Sequence, residues 1–529
     1  MYGSRIIRVG AILGVLAAAF AGNAHAQALR VVVVPGLQAH DLRTIAPRGA
    51  VGLLVPGAGP ETSALAAAAS LARGVVRNSL RGATPSGPVR IRIVQSRSIP
   101  NGGRFIVVGL PQGGAQPNDR RYGIAVVAPG FRGLLISPST RIPGLVSVAD
   151  VAPTALGESG KLGSQEEGDP LTALETLDRR IRDGNSWRTR TTTWVEIAIG
   201  VLAVVSGTAA VAGVAALLLA NLLAGAFGIG TGGGAAFILV GAACGLAAAR
   251  RRPRGSALAA LMAGVLAAYL ASFELDERWV ALSPLGPSQN ARFYGISNLL
   301  ETFMLVPALV GAALLRRRPW AAGGLALLAF VTIAGSRFGA DGGGAIVLGV
   351  GYAVLVTLLT GAGRRTLVAA VAAGVAVVLG LLALDAATGA SSHVTRALRK
   401  GPDGLATDLW NRVTLSWDHL TASTGTIVAT VVALVILAAL VARVLALRLP
   451  AALPLALAAA IAASMVVNDS PKEVAVAGAV LYAAVEAFAL GPRSAAGLIS
   501  GTVTRKGSVP TRARRDSEPS GQSPPGTVP

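Results

Sequence analysis

The residues best equipped for chemistry fall in four clusters, each at the end of a long apolar run. They are RFYGISNLLE (292–301), SRFGADGGG (336–344), SSHVTR with DLWNR (391–396 and 408–412), and NDSPKE (468–473). Arg292, Arg337, Arg396, Arg412 and Lys472 bring cations, and Glu301, Asp341, Asp469 and Glu473 bring carboxylates. Tyr294, Asn298, His393, Asn411 and Asn468 bring hydrogen bonds. Ionisable groups at the edges of membrane helices are costly to desolvate, so they usually face a cavity and find partners. This mixture suits a phosphate-bearing ligand. Guanidinium forks and helix N-termini match phosphate oxygens, while carboxylates can hold a divalent cation such as Mg2+ or take a proton. In that scheme Arg292, Arg337 and Lys472 bind phosphate, Glu301 or Asp469 is the base, and Asp341 holds the cation. Tyr294, Asn298, His393, Asn468 and Glu473 complete the ligand-binding set.

A plainer reading stands beside this one. Interfacial Arg and Tyr anchor membrane helices, and Gly-Asp or Asn-Asp-Ser-Pro sequences are ordinary turns and caps. Glu301, one turn inside its apolar run, and Glu486, near the centre of another, fit that reading least well. Four histidines and a single cysteine, Cys244, supply neither a zinc site nor a disulfide framework.

The elements that must position these clusters are membrane helices. Of 529 residues, 52% are hydrophobic and 14% charged, and apolar runs recur from about residue 194 to 491. At about 20 apolar residues per crossing, spans are expected near 195–211, 212–228, 232–249, 255–273, 298–315, 320–335, 344–362, 366–386, 426–448, 451–468 and 474–491. The pair 195–228 could also be one long tilted helix. The net charge of +21 comes largely from arginines in short loops and in the tail. With about eleven spans and an external start, RRRPR (250–254), RRR (316–318), Arg364, Arg365, Arg443 and Arg448 all face the cytoplasm, as positive-inside topology requires. That explains the charge better than nucleic-acid binding does. The same count puts all four clusters on the outer face. GIGTGGG (228–234) formally contains a dinucleotide-type glycine pattern, but no soluble strand precedes it, and it reads as a turn between spans.

Ahead of the membrane part, residues 1–26 have the charged start, apolar core and Ala24-His25-Ala26 end of a secretory signal. Residues 27–160 read as a small extracytoplasmic α/β domain. LRVVVVPGL (29–37), GAVGLLV (49–55), RFIVVGL (104–110) and YGIAVVAPG (122–130) are buried-strand patterns, and an Ala-rich helix is expected over 63–80. Residues 161–193 read as a linker with one amphipathic helix near 171–181. Residues 492–529 read as a disordered, basic cytoplasmic tail. The fold class is therefore an α-helical polytopic membrane bundle of about eleven spans behind a small α/β domain.

Two resemblances attach to these residues. The strand ending at Gly36-Leu37, with RGLLISPSTRIPGLVSVADVAPTALG (132–157), resembles the alkaline-phosphatase/sulfatase superfamily. The metal-binding Asp which that superfamily places after its first strand falls at Pro35, and its upstream Asp-His pair is absent. The resemblance therefore implies a catalytically inactive relic, in which Thr62 or Ser63 has no metal to activate its hydroxyl. Asp150 and Thr154 are expected to form a turn and cap. RFYGISN, GADGGG and NDSP, behind such an ectodomain, resemble an uncharacterised family of bacterial multi-pass membrane proteins whose corresponding segments read RFYGIGNE, GADFGG and NDSG. The departures are Ser297, Leu299, Gly343 and Pro471. Leu299 replaces an acid, so Glu301 would have to act two residues later. The resemblance implies shared architecture in a bacterial plasma membrane but no reaction.

Three functions remain open: handling of a phosphate-containing lipid or glycan precursor in an outer-face cavity, with transferase activity one form of it; a secondary transporter or channel using Glu301 and Glu486; and a non-catalytic envelope scaffold. The expected partners are membrane lipids and envelope-biosynthesis proteins, not nucleic acid.

Overall fold

A computed structural model describes most of residues 28–361 and 413–491, with short gaps at 82–86, 229–230, 252, 291, 336, 340–341, 448 and 450 and only scattered positions from 362 to 412. The expected signal, the basic tail, most of the expected span 366–386, and Asp341, His393, Arg396, Asn411 and Arg412 lie outside the described residues.

The N-terminal part is a mixed sheet. Its strands are β1 (Arg30–Pro35), β2 (Ala50–Val55), β4 (Ile93–Gln95), β5 (Phe105–Leu110), β7 (Tyr122–Val127), β8 (Gly133–Ile136), β9 (Leu145–Ser147) and β10 (Gly163–Gln165), and β3 (Glu61–Thr62) and β6 (Gln116–Pro117) form a separate pair. The order is β10-β8-β2-β7-β5-β1-β4, with β9 also on β2. β1 runs parallel to both its neighbours, and β7 runs antiparallel to both β5 and β2. The β-branched runs are continuous because both faces of the sheet are covered. Val31 and Val33 point to one face, where helices α1 (Ala64–Arg73) and α2 (Val151–Leu156) supply Ala67, Leu71, Val151 and Ala152. Val32 and Val34 point to the other, against Leu174, Leu177, Ile181, Ala281 and Phe293. Those last five residues belong to the helical part of the chain, so one sheet face is seated on it. Full burial of each Leu or Ile there stabilises by roughly 1.5–3 kcal/mol, an upper bound for an extended unfolded chain.

Helix α1 stops well short of residue 80. Gly74 adopts φ +66° and closes the last turn, and a Cβ there would sit 2.9 Å from the Ala152 Cβ. The expected linker is also corrected. From its N-cap Asp169, which accepts from the Thr172 N–H at 3.1 Å, helix α3 runs unbroken from Pro170 to Val205. At 1.5 Å per residue it is about 54 Å long. Its buried residues Leu174, Leu177 and Ile181 hold the sheet, and Val195, Ile199 and Leu202 then enter the helical core. The chain breaks at Ser206, in extended conformation (φ −170°, ψ 129°), and helix α4 (Gly207–Phe227) begins. The break comes before the expected 211/212 boundary, and the next residue, Gly207, abuts the Phe488 backbone, where a Cβ would have no room.

The remaining described helices with defined bounds are α5 (Thr231–Arg251), α6 (Gly255–Leu275), the short α7 (Arg278–Ala281), α8 (Asn298–Leu314), α9 (Pro319–Ala334), α10 (Gly342–Thr360), α11 (Thr424–Ala446), α12 (Ala452–Val467) and α13 (Pro471–Leu490). Among the described residues, five helices (α4, α6, α10, α11 and α13) are long and apolar enough to cross a membrane, and α8, α9 and α12 are shorter apolar helices. They enclose one apolar core that includes Tyr269, Phe303, Met304 and Tyr482.

Candidate functional site

Parts of three of the four clusters meet at one end of the helical core. The loop before α8 is fixed from beneath by Asn221 of α4. Its Nδ2 donates to Ser283 Oγ and Tyr269 Oη, each at 2.9 Å, and its Oδ1 accepts from the Leu285 N–H at 2.9 Å. Ser297 caps α8 by accepting from the Leu300 N–H at 3.1 Å, and its hydroxyl donates to the Leu285 carbonyl at 2.7 Å. The Ile296 N–H donates to the Gly339 carbonyl at 2.8 Å, which ties the loop to the SRFGA segment. Only glycine can present that carbonyl, because a Cβ at 339 would lie 2.1 Å from the Ile333 carbonyl.

On this base Arg292 donates from Nη1 to Asn298 Oδ1 at 3.4 Å and from Nη2 to the Gly339 carbonyl at 3.3 Å. Asn298 Nδ2 donates in turn to Asp469 Oδ1 at 2.7 Å and Ser470 Oγ at 3.2 Å. One helical turn inward, Asn468 Nδ2 donates to Glu301 Oε2 and to Ser464 Oγ, both at 2.8 Å. Two carboxylate–amide clasps thus join the start of α8 to the α12–α13 connection. Each asparagine serves the carboxylate carried by the other segment. Buried polar groups are tolerated when their hydrogen bonds are made in this way. Of the two carboxylates expected as a base, Asp469 is half-buried and Glu301 is fully buried behind Asn468. Asp469 is therefore the more accessible of the two, while Glu301 holds Asn468.

The other expected residues are less central. Arg337 has a side chain 71% exposed and pairs with Glu274 at 3.0 Å. Among the described residues its side-chain partner is Glu274, and no contact with Asn298 or Asp469 joins it to the clasps. Lys472 is half-buried and Glu473 exposed on the first turn of α13, both within electrostatic range of Glu196 on α3. Tyr294 is half-buried, and its ring is covered by the Arg141 guanidinium at 4.0 Å. Asp341 and His393 lie outside the described residues. Among the described residues, no group of three or more His, Cys, Asp or Glu is placed to hold a metal ion. Asp469 and Glu301 are each bonded to an amide donor rather than grouped as a cation cage.

Arg141 belongs to the sheet domain, and it binds that domain to two of the clusters. Besides covering Tyr294, it donates to the Arg337 carbonyl at 3.2 Å and pairs with Glu277 at 3.5 Å. Arg121, buried, donates to the Gln289 carbonyl at 2.6 Å, and burial lowers its guanidinium to about 10. The hydroxyls nominated in the sheet domain are used structurally. Ser63 caps α1, accepting from the Ala66 N–H at 3.2 Å, and Thr62 is buried in β3. Asp150 is buried and accepts from Ser137 Oγ, from Ser139 Oγ at 2.6 Å and from the Ser139 N–H at 3.2 Å. It ties a turn and makes no side-chain cap on α2.

Neither a family model, nor a curated protein, nor a solved structure matches this chain.

The seat of the sheet domain was not visible in the sequence. Arg121 and Arg141 lie among many surface-type arginines, and no pattern distinguishes one that reaches across more than 150 residues. Ser464 lay outside the expected clusters, and Ser470, inside NDSPKE, had no role assigned to it. Their signal was present, since both flank the Asn468-Asp469 pair, at helical spacing and next door.

Proposed function

We propose that this chain is an integral membrane protein whose polar cluster at the α8/α12–α13 mouth, beneath the sheet domain, binds the phosphate-bearing part of a lipid or glycan precursor. The observation that carries the reading is the bond from Asn298 to Asp469, which joins segments 171 residues apart at the Arg292 guanidinium. In this reading Arg292 meets phosphate oxygens and Asn298 fixes the geometry. Asp469 accepts a hydrogen bond or a proton from a ligand hydroxyl. The eleven-span arrangement belongs to the same proposal, with the sheet domain and cluster outside a bacterial plasma membrane and the arginine-rich loops and tail inside. So does the resemblance to bacterial multi-pass proteins with inactive phosphatase-like ectodomains; the sheet domain reaches the neighbouring loops through Arg141, over the Tyr294 ring and at the Arg337 carbonyl.

A transport path through Glu301 and Glu486 is less well supported. Asn298 and Asp469 bring the starts of α8 and α13 together, so Glu301 lies near one end of the bundle and Glu486 about 18 Å further along it at 1.5 Å per residue. Glu486 is buried and pairs with Arg443 at 2.6 Å, which neutralises it in place. Native mass spectrometry of the full chain in mild detergent tests the proposal. The number of co-purifying phosphate-bearing lipids or glycolipids per chain should be lower by one in Arg292→Ala/Asp469→Ala than in the wild type. Equal occupancy in both would remove the assignment.

A further inference from the structure

A cleft opens elsewhere, between α3, the end of α4 and the start of α5, beside the turn at Leu282 and Pro284. Helix α3 contributes Arg180, Gly184, Trp187 and Arg188 from one face. Arg180 donates from Nη2 to the Gly225 carbonyl in the last turn of α4. Gly228, at φ +64°, leaves room for this, since a Cβ there would lie 2.9 Å from Arg180 Nε. Arg188 donates to the Gly286 carbonyl and, at 2.7 Å, to the Pro287 carbonyl.

These carbonyls leave two things unmet. The Nε–H of each arginine is buried without a hydrogen-bond partner. Among the described residues, neither guanidinium forms an ion pair with a carboxylate. Asp183, which also lines the cleft, is exposed. Burial lowers the Arg188 guanidinium to about 10, with no neighbouring acid to offset it. Arg180 lies within electrostatic range of Asp276, which is already paired with Arg278, so neither arginine has a counter-ion of its own; such cations are costly to bury, and paired arginines are the side chains best matched to phosphate oxygens. The cleft also lies where the apolar helix α4 ends. Exposed Leu223 and Phe227 flank that end, at the depth of headgroups if α4 spans a bilayer.

We propose that this cleft is a phosphate-binding site that takes the phosphate of an anionic lipid headgroup between Arg180 and Arg188, with acyl chains along Leu223 and Phe227. The site is separate from the Arg292–Asp469 cluster and does not depend on that reading.

Gly184 provides a test that spares both arginines. A Cβ at this position meets nothing within 4 Å, so a longer side chain enters the cleft without a clash. Dihexanoyl phosphatidic acid is titrated calorimetrically into the full chain in maltoside micelles, with inorganic phosphate and dihexanoyl glycerol in parallel. The wild type and Gly184→Gln should bind phosphatidic acid within about twofold of each other, and Gly184→Glu should bind at least about tenfold more weakly, because its carboxylate occupies the arginines. In the Arg292→Ala/Asp469→Ala background the tenfold difference between Gly184→Gln and Gly184→Glu should persist, which separates this site from the cluster. Competition by inorganic phosphate would show that the phosphate alone suffices, and its absence would show that the lipid is required. Both outcomes support the site. No binding by the wild type, equal binding by Gly184→Glu, or equally tight binding of dihexanoyl glycerol would overturn it.

Discussion

Replacing Arg141 by alanine should loosen the sheet domain from the loop that carries Arg292. The side chain is 27% exposed and Glu277 is 24% exposed, so their 3.5 Å pair is largely shielded from solvent. A cation over an aromatic ring contributes about 1 kcal/mol, and a partly buried ion pair about another. The loss is then about 2 kcal/mol, which is about 30-fold in an opening equilibrium. Amide hydrogen exchange reads this directly. Amides of residues 284–297, including the Ile296 N–H, should exchange about 30-fold faster, while those in β5 and β7 stay unchanged. Arg141 also sits at φ +57°, a left-handed conformation that costs roughly 1 kcal/mol for a residue with a Cβ. Arg141→Gly removes the same contacts, so the loop should open as far as in Arg141→Ala, while relief of that strain should leave the sheet domain itself roughly 1 kcal/mol more stable than in Arg141→Ala. The pH dependence has a definite sign. Burial raises the Glu277 carboxyl above its ordinary 4.5, and Arg141 pulls it back. A raised carboxyl stabilises the closed state while protonated, and that contribution is lost as pH rises through its folded value. Without Arg141 the carboxyl rises further, so the loss in Arg141→Ala should fall to the roughly 1 kcal/mol of the ring contact at low pH, grow as Glu277 ionises above 4.5, and then level off. Exchange unchanged within about threefold at neutral pH would refute the account of this interface.

Other perturbations have equally direct readouts. Asn298→Ala removes donors to Asp469 and Ser470 and an acceptor for Arg292, so thermal unfolding in detergent should show a loss of about 2 kcal/mol, with ligand occupancy falling together with it. Arg443→Ala leaves the buried Glu486 carboxylate unpaired and should destabilise by about 1–3 kcal/mol, discounted because Arg443 is 55% exposed; Arg443→Leu/Glu486→Leu should recover most of it in the same assay. Asp150→Ala strips three donors of their acceptor and should cost the sheet domain about 2–3 kcal/mol, seen as faster exchange across β8 and β9.

The strands were legible because their apolar runs are uninterrupted and end at Gly or Pro, as at Val31–Val34 and Ile106–Val108. The helical character of the second half was legible for the same reason. Boundaries set by tertiary contact were not. Residues 170–193 look polar enough for a linker, yet Leu174, Leu177 and Ile181 find the sheet face, and the helix continues into the core. The helix break at Ser206 falls where Gly207 meets the Phe488 backbone, a contact no local pattern announces. In the site, Arg292, Asn298, Glu301, Asn468 and Asp469 were recognisable as polar residues at the ends of apolar runs, where burial without partners would be prohibitive. Arg337 had the same signature but faces Glu274, because a cation at a helix end can satisfy itself in either direction.

The most direct test of the central claim is an electron cryo-microscopy map of the full chain in nanodiscs made from a total bacterial lipid extract. The account predicts phosphate density within hydrogen-bond reach of Arg292 and beside Asn298 and Asp469, beneath the sheet domain. A closed cluster filled by its own side chains, with lipid density confined to the outer surface of the bundle, would contradict it.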